Sequence, residues 1–128
     1  MRLFTQEEKE KMIRKESNKL KKILKNLDGD KFKVADGLIQ EAAFMKVTLQ
    51  ETREVIDREG ILELFEQGSQ KFNREHPATK VYAAMINRYS AICKQLFELL
   101  PGGNNDKGGN ASPQQSELVE FIKAGMSK

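Results

Sequence analysis

Residues 78–100 read ATKVYAAMINRYSAICKQLFELL, and this stretch decides the fold. Tyr82, Ile86, Tyr89, Cys93, Leu96 and Leu100 recur at alternating four- and three-residue steps, and Met85, Ile92 and Leu99 thicken the same side. That period predicts an amphipathic α-helix whose broad apolar stripe must be buried against something. Upstream, from about Phe32 to Glu59, Ala35, Leu38, Ala42, Met45, Leu49, Thr52 and Ile56 repeat at the same steps, with Ile39 beside them. Two long amphipathic helices joined by a short connection predict an antiparallel hairpin. The small Ala35, Ala42 and Ala43 face a partner with large side chains, which favours close helix packing.

The flanks divide the chain into four segments: a basic N-terminal helix (1–31), the helical-hairpin core (32–101), a linker (102–111) and a C-terminal helix (112–128). Thr5 followed by Glu8 is a capping box, and Glu7, Glu8 and Glu10 put negative charge where the helix dipole favours it. The helix is expected from about Gln6 to Leu27. Lys11, Arg14, Lys15, Lys19, Lys21, Lys22 and Lys25 cluster on one side of it, and Met12, Ile13, Leu20, Ile23, Leu24 and Leu27 on the other. Asp28, Gly29 and Asp30 carry turn chemistry, with Gly29 expected in the left-handed position that closes a helix. The long central helix is expected to start near Phe32 or Lys33 and to stop at Gly60. Gly37 inside it costs roughly 1 kcal/mol against Ala and points to a kink or a close backbone contact.

Between Gly60 and Pro77 the helical period fails. Two readings stand equal: a short two-stranded β-hairpin turning at Gly68, or a short helical turn through Leu62 to Glu66. Pro77 suits the first turn of the next helix, with His76 just before it. After Leu100, residues 101–110 lose almost all apolar content and read as a flexible linker. A last helix is expected from Ser112, with Pro113 at its first position and Gln115 completing a capping box. Leu118, Val119, Phe121 and Ile122 give it one apolar side, and Gly125 is expected to end it. So short a helix is marginal alone and needs a neighbour or a partner to fold against.

A chain of 128 residues with 32% charged residues and no Trp suits one all-α domain with appendages. Two helices alone would leave apolar surface wet, which predicts self-association. The single Cys93 cannot form an internal disulfide and reads as a buried thiol. The charged start is unlike a secretory signal, and no apolar run approaches the roughly 18 residues of a spanning helix, so a soluble, intracellular protein is expected. The net charge is only +3, but residues 1–33 hold 11 Lys or Arg against 6 Asp or Glu, while residues 34–100 hold 8 against 10. The basic character therefore sits in the first helix.

No nucleophile–base arrangement, phosphate-cradling glycine motif or metal cluster is visible. His76 is the only histidine, and Gly102-Gly103 and Gly108-Gly109 lack the strand before and the Lys-Ser/Thr after that a P-loop requires. The carboxylates Glu51, Glu54, Asp57 and Glu63 read as a solvated face. The expectation is no enzyme and no cofactor. The basic helix face is the one positive signal: many charge runs are only solvated faces, but this one suits phosphates, with affinity that falls with salt. An anionic membrane ranks lower as its target, because the apolar side lacks Trp and is flanked by Glu16. Lys71, Arg74 and Lys80 form a second cationic group around the inter-helix connection.

Over roughly residues 33–101 the chain resembles a bacteriophage terminase small subunit of the short type. The resemblance is carried by Leu38-Ile39-Gln40-Glu41-Ala42-Ala43-Phe44-Met45, then by Gly68 through Gln70 to Pro77, Val81-Tyr82, Met85-Ile86, Tyr89 and Leu99-Leu100-Pro101. It implies a non-catalytic adaptor that recognises double-stranded viral DNA in the host cell cytoplasm and brings it to a large ATPase-nuclease subunit. It also implies assembly as a homo-oligomeric ring through helical hairpins, which would bury the surplus apolar surface and multiply weak basic contacts. One departure is that no N-terminal helix-turn-helix is present, since the segment after the basic helix is too long and apolar for a recognition helix.

The expected DNA-binding residues are thus Lys11, Arg14, Lys15, Lys19, Lys21, Lys22 and Lys25. Leu38, Met45, Leu49, Ile56, Tyr82, Ile86, Tyr89 and Leu96 are expected at contacts between copies. Leu118, Val119, Phe121 and Ile122 are expected to engage the large subunit or to clip onto a neighbouring copy. From a different class, the same hairpin also suits a helical protein-interaction or regulatory module without DNA binding.

Overall fold

The computed structural model describes residues 3–25, 27–100 and 113–126. In order they form α1 (Gln6–Ile23), α2 (Gly29–Glu59), β1 (Leu62–Gln67), β2 (Gln70–Glu75), α3 (Pro77–Leu99) and α4 (Pro113–Met126). The expected linker and the Ser112 cap lie outside the described residues. The fold is helical, with α2 and α3 packed extensively as a hairpin and one two-stranded antiparallel sheet joining them.

The capping box forms: the Glu8 N–H donates to the Thr5 hydroxyl at 3.1 Å, and the Thr5 N–H donates to the Glu8 carboxylate at 3.4 Å. α1 stops at Ile23, earlier than the expected Leu27. Farther on, the Asp28 carboxylate accepts the Lys31 N–H at 3.1 Å and so caps the next helix. Gly29 is therefore the first residue of α2 and not a left-handed stop, and α2 begins three residues before Phe32. Lys25 falls in the turn beyond α1. Gly37 is inside an unbroken helix, and nothing lies within 4 Å of the place a Cβ would take.

Gly60 ends α2 at φ +82°, as its position predicts, and Gly68 turns the β-hairpin at φ +62°. The β-hairpin reading of residues 61–74 is the one the chain adopts, with Gly68 and Ser69 between strands paired Gln67 to Gln70 through Leu62 to Glu75. Pro77 opens α3, and the His76 ring accepts the Ala78 N–H at 3.1 Å as its N-cap.

Residues of all four helices meet in one core: Leu20 and Leu24 of the first helix region, Ala35, Ile39, Ala42, Met45 and Leu49 of α2, Tyr89, Cys93 and Leu96 of α3, Leu118 and Phe121 of α4. α2 also buries Ala43, Val47, Thr48 and Val55, so it is enclosed on more than one side. The N-terminal end of α1 meets α2 near Glu51 and Glu16 meets Lys46, so α1 runs antiparallel to α2. α4 runs to Met126, and Gly125 lies inside it. A Cβ at Gly125 would overlap the Tyr89 ring, which is fully buried, and the Gly125 carbonyl accepts from the Arg53 guanidinium at 2.8 Å. Glycine is required here by clearance, not by conformation.

Gly125→Ala is expected to lower stability by about 1–3 kcal/mol, because neither the ring nor the helix backbone can yield cheaply. Thermal unfolding checks it, with limited proteolysis showing α4 cleaved first.

Candidate nucleic-acid interface

α1 presents its cations in two sets because its other side is held to α2. Lys11, Arg14, Lys15, Lys19 and Lys22 are exposed and Lys21 is half-buried. Among the described residues, Lys11, Arg14, Lys15, Lys22 and Lys25 have no carboxylate within ion-pair distance, whereas Lys19 lies 3.4 Å from Glu16. Lys9 is different: it turns inward and pairs with Glu51 at 3.3 Å.

Glu51 is the residue whose role the sequence pattern hides. It is largely buried, not part of a solvated face, and accepts the N–H groups of Leu3 at 3.2 Å and Phe4 at 3.0 Å besides the Lys9 ammonium. Burial opposes its ionisation, but the Phe4 N–H, the Lys9 charge and the Leu3 N–H together outweigh burial and hold its carboxyl below the ordinary value. This clasp ties the N-terminal arm to α2. Farther along, Lys46 pairs with Glu16 at 2.9 Å and stands 3.6 Å over the Phe121 ring, linking α1, α2 and α4. Burial lowers the Lys46 pKa, against the opposing pull of Glu16.

A groove of about 400 Å³ runs between α1 and α4, with Lys19, Lys22 and Lys46 on one side and Glu117, Glu120 and Phe121 on the other. The acidic side of α4 thus borders the end of the cationic stripe and weakens its field there. The outlying stretch through Lys11, Arg14 and Lys15 lies beyond it.

The residues expected at contacts between copies divide. Met45, Leu49, Tyr89 and Leu96 lie in the chain's own core, Leu38, Tyr82 and Ile86 are partly buried against that core, and Ile56 is half-buried. Of the expected partner residues, Leu118 and Phe121 are buried in the same core while Val119 and Ile122 are half-buried. α4 folds against its own chain because Leu118 and Phe121 complete the cluster around Tyr89. Cys93 is buried, and burial pushes its thiol up to about 11, against the hydrogen bond from Tyr89 and the charge of Lys46.

Among the described residues no group of three His, Cys, Asp or Glu could hold a metal ion, and no helix is long and apolar enough to cross a membrane. Compared with protein-family models, curated proteins and solved structures, the chain matches none.

Glu51→Gln is expected to destabilise the fold by roughly 1–3 kcal/mol through its charged hydrogen bonds. Because the folded pKa is depressed, the wild-type contribution is complete above the ordinary 4.5 and is lost as pH falls through the folded value below it. Denaturant titrations from neutral to acid pH should show that loss in the wild type and not in the variant. Separately, Cys93 should resist thiol reagents in the native protein at about pH 8 and react at once when denaturant is added.

Proposed function

We propose that the chain is a non-catalytic DNA-packaging adaptor of the terminase small-subunit kind, which binds double-stranded viral DNA in the host cytoplasm and presents it to a large ATPase-nuclease subunit. The observation that carries the reading is the outer side of α1, where Lys11, Arg14, Lys15 and Lys22 stand in water without a carboxylate partner among the described residues. Ammonium and guanidinium groups along one helix side suit backbone phosphates and draw affinity from released counterions. Such contacts position a duplex without reading its bases. Lys19 contributes less, because Glu16 already neutralises part of it.

In this reading several copies act together, since four or five phosphate contacts per copy are weak and a ring multiplies them. The large subunit is engaged by α4. In the docked state that contact uses the exposed Glu117, Glu120 and Lys123, because Leu118 and Phe121 are committed to the core.

Fluorescence anisotropy with a labelled duplex of mixed sequence tests the assignment. The wild-type affinity should fall with salt, with a log–log slope of about −0.9 per neutralised phosphate. The triple reversal Lys11→Glu, Lys15→Glu, Lys22→Glu should weaken binding by at least about tenfold and flatten the slope. Its circular dichroism should be unchanged, since all three side chains are exposed. Equal affinity of variant and wild type removes the DNA assignment and leaves a protein-interaction module.

A further inference from the structure

α4 lies on the rest of the chain as a short ligand helix lies in a groove. Its described buried residues are Gln115, Leu118, Phe121 and Gly125, at steps of three, three and four, and the residues between them are exposed or half-buried. That is one buried stripe on a helix of 14 residues, a length that is marginal alone in water. Residues 101–112 are its tie to α3, and a stretch of that length reaches about 40 Å when extended. The tie therefore allows α4 to leave its place without moving α3.

The seat under α4 selects particular residues. Leu118 and Phe121 enter the cluster they share with Leu20, Met45 and Tyr89. The Lys46 ammonium stands 3.6 Å over the Phe121 ring, which favours an aromatic residue at that position. Four residues on, the buried Tyr89 ring occupies the room a side chain would take, so a glycine must pass there. At the end of the helix the Arg53 guanidinium donates to the Gly125 carbonyl at 2.8 Å, one of those a helix C-terminus leaves without an intrahelical partner.

α4 does not use all that the seat offers. The Nε–H of Arg53 is buried and donates to nothing among the described residues. A guanidinium takes a carboxylate through two parallel N–H groups, whereas the last described residues of α4 bring Arg53 a carbonyl and no carboxylate. Along the other flank the groove of about 400 Å³ stays open beside Phe121. Lys19 and Lys22 face Glu117 and Glu120 across it, and no ion pair closes it among the described residues.

We propose that α4 is a built-in occupant of a helix-binding groove, which takes in its place a helix of another protein. That helix carries a leucine, an aromatic residue three positions on, a glycine four beyond it, and a carboxylate at its C-terminal end for Arg53. It enters apolar side down, as amphipathic helices enter grooves generally. Because α4 fills the seat in the free chain, the incoming helix binds only the fraction of molecules whose α4 is out, and its apparent affinity falls by that fraction. α4 thereby sets a threshold that only a better-matched helix passes. The inference concerns the seat alone and stands whether or not α1 binds DNA.

Fluorescence anisotropy with a labelled peptide tests it, using the full chain as receptor. The peptide has the α4 sequence Pro113–Met126 with Met126→Glu to supply the carboxylate. Gly125→Val in the chain forces its own α4 off Tyr89 and should raise the affinity for this peptide at least about tenfold over wild type. A peptide that itself carries Gly125→Val should bind neither chain. Adding Arg53→Gln to the Gly125→Val chain should erase the advantage of the Met126→Glu peptide over the unaltered α4 peptide. Phe121→Ala in the chain opens the seat by removing an anchor of α4 while leaving the seat residues intact, and should act in the same direction as Gly125→Val. No binding to either opened chain, or equal binding of the Gly125→Val peptide, overturns the proposal. Equal affinity of the unaltered α4 peptide means that the occupant is α4 of a second copy, and the partner-helix assignment falls. Loss of the whole helical circular dichroism in both opened chains makes α4 a fixed part of the core and overturns the proposal as well.

Discussion

A helix that is apolar on more than one side is stable only when each side is covered, and α2 is such a helix. Ala35, Ile39, Ala42, Met45 and Leu49 belong to the common core, and Ala43, Val47, Thr48 and Val55 are buried as well. A single returning helix covers one side of a neighbour. α3 does that, bringing Tyr89, Cys93 and Leu96 against α2, and the remaining surface needs α1 and α4. The fully buried Tyr89 ring in turn decides how α4 lies, because only a residue without a side chain passes it at Gly125. The order of dependence is α2, then α3, then α4 over Tyr89.

Covering α2 also sorts the charges. An ammonium on the inward side of α1 would be costly unless met by a carboxylate, and Glu51 meets Lys9 there as Glu16 meets Lys46. Those pairs are shielded from water, with Lys46 further placed over Phe121. What is left outside is a stripe of cations with no such compensation among the described residues. Toward α4 the stripe fades, since Glu117 and Glu120 border the groove beside Lys22.

How far the sequence pattern reaches depends on whether one side of an element is buried or several. α3 has one buried stripe, and its residues stand out at three- and four-residue steps. For α2 the stripe was visible but the burial of Ala43, Val47 and Val55 was not, because a helix covered on several sides has no single period to detect. Asp28-Gly29-Asp30 carries both a stop and a start signal; the Asp28 carboxylate caps Lys31, and that choice moves Gly29 into α2. Leu62, Glu63, Leu64 and Glu66 suit one helical turn as well as a strand, and only the pairing with β2 separates them. Glu51 and Gly125 had no local signal at all: each owes its role to a residue distant in the chain, Leu3 and Phe4 for one and Tyr89 for the other.

The β-hairpin obeys different constraints from the helices beside it. Core side chains such as Leu20, Ile39 or Leu96 are held in place by volume, since each touches several neighbours and any loss leaves a cavity. Leu62, Leu64 and Phe72 are exposed, and a connection between α2 and α3 could be made with a few polar turn residues. The exposed apolar side chains Leu62, Leu64 and Phe72 and the open strand edges are a cost to the chain, through both hydration and edge exposure.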